Sequence, residues 1–225
     1  MGSDGGLFSR LKRAAAKDWD AYIDHEFVRG LGDGSLPEAS FRHYLAQDYL
    51  FLIHFARAYA LAVYKSRTLA DMRSAGRTMA ALLDQEMDLH VRLCARWGLT
   101  PDDLEATPEA SATMAYTRYV LAEGMRGDLL DLHVALVPCI IGYWEIGAAL
   151  AARPGALDAS NPYREWIAEY SGEAYRDVAE EAEARLDRLA GATLSEDRFA
   201  DLVRIFRQAT KLEADFWQMG IDLAD

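Results

Sequence analysis

Apolar residues recur at helical spacing along nearly the whole chain. The stretches between breaks are rich in Ala, Leu, Arg and Glu, and no segment alternates apolar and polar residues for more than a few positions. The sequence therefore predicts helices and no β-sheet. Clusters of Gly and Pro divide the pattern into about seven helices, with predicted spans of 5–30, 37–66, 69–97, 109–125, 127–152, 161–190 and 195–222.

Two of these helices are apolar on nearly all sides. They cover Tyr44 to Tyr64 and Leu132 to Leu150. A helix of this kind is expected inside a helical bundle or against another subunit. Because no linker or low-complexity segment interrupts the chain, residues 1–225 are predicted to form a single-domain, multi-helix all-α bundle.

Charge and composition narrow the class of protein. The 225 residues contain 24 Lys and Arg against 36 Asp and Glu, a net charge of −12 that argues against nucleic acid as a partner. No apolar run reaches 18 residues without a charge, and the first residues lack the features of a signal peptide. The two cysteines are too few for a disulfide scaffold. We expect a cytoplasmic protein that does not bind membranes.

Asp48 interrupts one of the two apolar helices. It shares a helical face with Phe51 and Phe55, at i+3 and i+7. A carboxylate in such a place is either a polar group of a binding site or a structural residue. The structural alternatives are a cap, a solvated edge position, or a buried ion pair with an arginine.

Cys139 follows a proline inside the other apolar helix. Pro138 removes a backbone hydrogen-bond donor beside the thiol, and Tyr143 lies one turn further on. This context fits a nucleophilic thiol, although a buried free cysteine is more often an inert packing residue. Cys94 has no comparable context, and we assign it to packing.

A second carboxylate, Glu213, lies near the end of the chain on the same side of its helix as Phe216 and Trp217. Burial against aromatic rings raises the pKa of a carboxyl group toward neutrality, which suits a proton donor and acceptor. The alternative is a surface pair with a neighbouring helix.

A metal site is a further possibility because Glu86 and His90 stand at i and i+4. Carboxylate and histidine ligands from several helices form di-iron sites in bundles. The last histidine in the chain is His133, so the final helices supply carboxylates only. We therefore predict no metal site and interpret Glu86 and His90 as a pair on the helix surface or behind a site.

With these residues, the chain resembles the TenA/thiaminase II family, whose members are all-helical and have the heme-oxygenase-like fold. The resemblance covers about residues 7–220. It rests on segments that follow the family's order with similar spacing, which are Phe27–Pro37, Tyr44–Phe55, Leu136–Gly147, Asn161–Tyr170 and Glu213–Trp217.

The resemblance implies roles for individual residues. Cys139 corresponds to the family's nucleophile, Asp48 to the aspartate that holds the pyrimidine, and Glu213 to the general acid and base. The substrate-binding tyrosines correspond to Tyr116, Tyr143 and Tyr170. Phe51 stands where some members have a tyrosine, which preserves stacking on the substrate but not that tyrosine's hydrogen bond. The implied mechanism requires these side chains to converge on one small pocket.

The activity implied by this resemblance is an aminopyrimidine aminohydrolase, or thiaminase II, of thiamine salvage. Such an enzyme converts 4-amino-5-aminomethyl-2-methylpyrimidine to the 5-hydroxymethyl compound and can also split thiamine. It needs no cofactor, and family members are usually homotetramers. Two alternatives remain open, namely a non-catalytic pyrimidine-binding or regulatory module and, with less support, a di-iron oxidase on the same fold.

Overall fold

The computed structural model describes residues 5–225, apart from the side chain of Gln85. This part of the chain contains helices, turns and bends but no strand, so the predicted all-α class is confirmed. Its α-helices are α1 (Leu7–Ala14), α2 (Ala16–Ile23), α3 (Glu26–Asp33), α4 (Glu38–Lys65), α5 (Leu69–Ala81), α6 (Met87–Cys94), α7 (Pro101–Glu105), α8 (Ser111–Arg126), α9 (Leu129–Ala151), α10 (Arg164–Tyr170), α11 (Glu173–Ala190) and α12 (Glu196–Asp222).

The helix predicted over 5–30 is three helices, and the single span was wrong. Ala15 leaves the helical backbone with φ −114° and ψ 20°, which separates α1 from α2. His25 is extended, and its Nδ1 accepts a hydrogen bond from the backbone N–H of Phe27 at 3.2 Å. This side chain caps the start of α3.

Two other predicted helices are also divided. The span 161–190 contains α10 and α11, because Gly172 is extended (φ −70°, ψ 157°) and begins α11. The span 69–97 contains α5 and α6, with a π-helical turn at Leu82–Glu86 between them and a 3₁₀ turn after α6. Such a π-turn inserts a residue into the helical register and is frequent at functional sites.

Helix α7 was not predicted. Its first turn is closed by a capping box in which the Thr100 hydroxyl accepts from the N–H of Asp103 and the Asp103 carboxylate accepts from the N–H of Thr100. These reciprocal bonds satisfy two backbone donors that a short helix would otherwise leave open.

The helices form two compact units. The first contains the described residues up to Pro37 together with His133–Trp217. In its core, the Trp19 ring stacks on Phe206 at 5.4 Å, and the Trp19 indole donates to the Glu145 carboxylate at 3.0 Å. Lys12 pairs with the same carboxylate at 2.7 Å, so one acidic group on α9 fixes both α1 and α2.

Asn161 fixes the segment before α10 within the same unit. Its side-chain amide donates to the carbonyls of Leu31 and Ala156, each at 3.0 Å, and its carbonyl oxygen accepts from the N–H of Tyr163. Because these groups are buried, the amide replaces hydrogen bonds that water would otherwise make.

The second unit contains Glu38–Leu132 and the last residues of the chain. The α4 helix forms much of its core, with buried positions from Ser40 to Ala62. The predicted apolar helix is therefore largely internal, although Tyr64 at its end is 84% exposed.

The second predicted central helix, α9, is buried at every position from 132 to 141. Among the described residues, it is the one helix whose length and composition would allow it to cross a membrane. Two thirds of its most apolar window (67%) is buried within the structure, which is typical of the core helix of a soluble protein.

Candidate active site

The candidate site residues and buried residues close to them along the chain lie in two sets, one in each unit. The thiol cluster of the first unit consists of Cys139, Tyr143, Tyr170, Glu213 and Trp217. The carboxylate cluster of the second unit consists of Tyr44, Asp48, Phe51, His90 and Tyr116. All ten side chains are buried.

The backbone beside Cys139 is held by a tyrosine from α2. Helix α9 continues through Pro138, and the Tyr22 hydroxyl donates to the Pro138 carbonyl at 3.2 Å. The Tyr22 ring lies against Gly142, where a Cβ would come within 2.3 Å of a ring carbon. Gly142 therefore makes room for the ring that fixes the turn carrying the thiol. Cys139 itself is 8% exposed and is not in a disulfide.

Aromatic rings pack one turn after the thiol. The ring of Tyr143 lies 4.9 Å from that of Tyr170 and 5.3 Å from that of Trp217. Helix α9 approaches the end of α10 closely at Gly147, because a Cβ there would stand 2.5 Å from the carbonyl carbon of Tyr170. These contacts join α9, α10 and α12 around the thiol cluster.

Glu213 lies on α12 one turn before Trp217 and is 1% exposed. Phe216 and Trp217 on the same helix are buried as well, and the surface-pair alternative for Glu213 is wrong. Cys139 and Glu213, the two candidate reactive residues of the first unit, each lie one turn before a ring of the Tyr143–Trp217 contact.

Asp48 is 3% exposed, and both of its hydrogen bonds are made by one oxygen. The hydroxyl of Tyr44, one turn earlier on α4, donates to Asp48 Oδ2 at 2.8 Å. The Nε2 atom of His90 on α6 lies 2.7 Å from the same oxygen. Within residues 5–225, Asp48 Oδ1 has no hydrogen-bond partner. The buried ionic partner is therefore a histidine rather than the arginine considered from the sequence.

His90 is enclosed on both sides. Its Nδ1 lies 2.9 Å from the backbone carbonyl of Glu86, which can only accept, so Nδ1 carries a proton. Burial disfavours the charged ring, but the hydrogen bond and charge of Asp48, with a smaller contribution from the Glu86 carbonyl, hold the pKa of His90 above its ordinary value of 6.5. The raised pKa favours the protonated ring, which donates to Asp48 Oδ2.

Phe51 and Tyr116 meet in the second unit with their ring centres 4.9 Å apart. Tyr116 is on α8, whose start is fixed by a buried glutamine on α4. The Gln47 carbonyl oxygen accepts from the N–H of Ala110 at 2.9 Å and from the Thr113 hydroxyl at 2.7 Å. This clamp determines where α8 places its tyrosine.

Cys94 lies in a different environment from Cys139. It is fully buried one turn after His90, and burial raises the pKa of its thiol to about 11. A thiol of this kind is almost entirely protonated at neutral pH, which agrees with the assignment of Cys94 to packing.

No group of three or more His, Cys, Asp or Glu side chains suited to a metal ion occurs in the described part of the chain. Both ring nitrogens of His90 are within hydrogen-bond distance of oxygens, one from Asp48 and one from Glu86. The sequence allowed two interpretations of the His90 and Glu86 pair, one on the helix surface and one behind a site. The surface position is wrong for His90, which is buried and hydrogen-bonded to Asp48.

Comparison with known proteins identifies the family to which the chain belongs. The fold and the two clusters define an all-α protein with a buried thiol and buried carboxylates among aromatic rings. The model of the TENA/THI-4/PQQC family matches residues 13–223, and the chain belongs to this family. The resemblance found in the sequence is confirmed.

Individual relatives support the same grouping. An aminopyrimidine aminohydrolase from Halalkalibacterium halodurans is 41% identical over 93% of each chain. The crystal structure of a TenA family transcription regulator from Silicibacter sp. TM1040 is 44% identical, covers 96% of this chain and 97% of its own, and has a TM-score of 0.90. A domain of unknown function with a heme oxygenase-like fold from Shewanella denitrificans has a TM-score of 0.74 at 16% identity, covers 96% of this chain and 92% of its own, and shows the fold alone.

Proposed function

We propose that this protein is an aminopyrimidine aminohydrolase of thiamine salvage that uses Cys139 as its nucleophile. The substrate would be 4-amino-5-aminomethyl-2-methylpyrimidine and the products its 5-hydroxymethyl counterpart and ammonia. The name of the relative from Halalkalibacterium halodurans supports the reaction class. Thiamine would be a second substrate, cleaved at the same exocyclic methylene.

The observation that carries the proposal is that Cys139 and Glu213 are both buried in the first unit, on the two helices that the Tyr143–Trp217 contact joins. A hydrolysis of this kind needs a nucleophile and a group that gives and takes a proton. Both groups are buried in a unit that also buries the rings of Tyr143, Tyr170 and Trp217, and aromatic rings suit the faces of a flat heteroaromatic substrate.

Asp48 would hold the pyrimidine through Oδ1, the oxygen that its protein partners leave open. That oxygen can accept hydrogen bonds from the 4-amino group and from a protonated ring nitrogen. Holding the ring as a cation makes its C6 carbon more electrophilic. Phe51, Tyr116, Tyr143 and Tyr170 would supply the ring faces and hydroxyl groups that orient the substrate.

The chemistry would proceed in two halves. The thiol of Cys139 passes its proton to Glu213 and the sulfur adds to C6. The electrons of the ring expel the amine as its C–N bond breaks, and Glu213 gives the proton to the leaving nitrogen. Glu213 then takes a proton from water, whose oxygen bonds to the exocyclic methylene. The C6–S bond finally breaks, which restores the aromatic ring, and Glu213 returns the proton taken from water to the sulfur, which restores the thiol and the carboxylate.

The test is an assay of hydroxymethylpyrimidine formation from each substrate, with Glu213→Gln beside the wild type. The amide keeps the shape of the side chain but cannot carry the proton, so we expect a loss of about 10²-fold or more in kcat. Pyrimidine binding, measured by titration calorimetry, should change by less than about threefold. Equal turnover by the variant would overturn the role of Glu213.

The product assay, together with a measurement of bound iron, separates the alternatives. Wild-type protein that binds the pyrimidine but forms no product from either substrate would be a binding or regulatory module. Stoichiometric iron in protein purified without chelators, together with turnover that requires it, would identify an oxidase instead.

We further propose that residues 1–225 act as one TenA-like domain in a cytoplasmic homotetramer. The family match extends over 13–223, which supports one functional domain. The side chains of Tyr64 (84%) and Met125 (71%) are large, apolar and exposed, as expected of subunit contacts. Light scattering after size-exclusion chromatography tests the assembly, and a monomer at micromolar concentration would contradict it.

A further inference from the structure

His90 is completely buried, and the reaction proposed above gives it no step. We propose that His90 is a positioning residue that donates to Oδ2 of Asp48, so that Oδ1 is the atom presented to the aminopyrimidine. This inference rests on the proposed function, because it concerns how the substrate-binding aspartate is oriented.

The first argument concerns the proton on Nδ1 of His90, the ring nitrogen that does not contact Asp48. The Nδ1 proton of His90 is held by the Glu86 carbonyl at 2.9 Å. This bond fixes the ring orientation and reserves Nε2 for Asp48. A neutral ring would then present a lone pair to the carboxylate, whereas the charged ring presents a donor. The 2.7 Å separation between Nε2 and Oδ2 fits a charge-assisted hydrogen bond.

The second argument is that two donors meet on one oxygen. Tyr44 and His90 reach Asp48 Oδ2 from α4 and α6, at 2.8 and 2.7 Å. Rotating the carboxylate to exchange its oxygens would break both bonds at a buried position, where an unsatisfied polar group is costly. The pair of donors therefore locks the plane of the carboxylate and leaves Oδ1 as its acceptor.

The third argument is the backbone that carries the histidine. Glu86 ends the π-turn Leu82–Glu86, and its carbonyl holds the His90 ring. Helix α6 begins directly after this turn. The π-turn therefore sets the helical register that places His90 beside Asp48.

The test compares His90→Gln with His90→Leu. Glutamine can place an N–H near the position of Nε2 without carrying a charge, whereas leucine removes the donor. Because the histidine acts on substrate binding and not on the reacting bonds, His90→Leu should raise KM by about tenfold with kcat within about twofold of the wild type. His90→Gln should restore KM to within about threefold.

A matched control is His54→Gln. His54 lies on the same helix as Asp48 but pairs with Glu109 at the surface, at 2.8 Å. This substitution should leave KM and kcat unchanged. A fall in kcat at unchanged KM in His90→Leu, or a failure of glutamine to restore KM in a folded protein, would overturn the positioning role.

A second measurement does not depend on turnover. Nitrogen-15 NMR of the histidine rings, with His90 assigned by its absence in His90→Gln, should show protons on both ring nitrogens at pH 7. A ring protonated on Nδ1 alone would overturn the proposal. If the wild type forms no product, the proposed function fails, while the NMR spectrum and the affinity for hydroxymethylpyrimidine still decide the role of His90.

Discussion

The rings of Tyr143 and Trp217 lie 5.3 Å apart and join the helix of Cys139 to the helix of Glu213. Cys139 and Glu213 each stand one turn before one of these rings, so the contact joins the two helices that carry the thiol and the carboxylate. Aromatic pairs of this size contribute about 0.5–1.5 kcal/mol beyond their buried area. The same contact therefore stabilises the first unit and holds together the helices of its two candidate reactive residues.

Gly142 should be intolerant of a side chain. A Cβ there would meet the Tyr22 ring at 2.3 Å, so Gly142→Ala must displace the ring that bonds the Pro138 carbonyl. We expect a loss of about 1–3 kcal/mol in unfolding free energy, measured by urea denaturation. The matched control is Gly76→Ala in α5, where no atom lies within 4 Å, and it should gain up to about 1 kcal/mol. Equal stabilities would contradict this account of Gly142.

The two thiols should differ in reactivity toward iodoacetamide. Cys94 is fully buried and burial raises the pKa of its thiol to about 11, so it should remain unmodified in the folded protein at pH 7.5. Cys139 should be alkylated first, and hydroxymethylpyrimidine should slow the modification. Peptide mass spectrometry locates the label. Faster labelling of Cys94, or no protection by the pyrimidine, would oppose the proposed role of Cys139.

Stability should depend on pH through His90. Its folded-state pKa is raised above 6.5 by Asp48 despite burial, so the pair stabilises the fold fully below 6.5. This contribution is lost as the pH rises through the folded-state pKa. Between about pH 6 and pH 9, the wild type should lose more unfolding free energy than His90→Gln, by at most about 1.4 kcal/mol per pH unit for one proton. His54→Gln is the control, and parallel curves for wild type and His90→Gln would contradict the pairing.

Sequence alone was sufficient for the fold class because the helical period of apolar residues is long and uninterrupted by strand signals. It was insufficient at Ala15, which lies in a run of good helix formers and ends α1 through its packing context. It was also insufficient at α7, whose five residues give too short a pattern for periodicity, although the capping box at Thr100 and Asp103 was visible.

The carboxylate cluster also contains a contact that the sequence alone could not predict. Asp48 was identified because a carboxylate in an apolar helix is unusual, and Tyr44 stands one turn before it in the sequence. Its pairing with His90, 42 positions away, could not be found from spacing. The remaining sequence signal was a histidine between two apolar neighbours, Leu89 and Val91. The local pattern on α6 was equally compatible with a ligand or a surface pair, and only the packing of α4 on α6 decides.

The nucleophilic role of Cys139 is tested most directly by the initial rate of hydroxymethylpyrimidine formation from the aminomethylpyrimidine. Cys139→Ala and Cys94→Ala are compared at equal concentrations of folded protein. We expect a loss of about 10³-fold or more in kcat for Cys139→Ala with pyrimidine affinity retained, and a rate within about twofold of the wild type for Cys94→Ala. Wild-type turnover in Cys139→Ala would contradict the proposed mechanism.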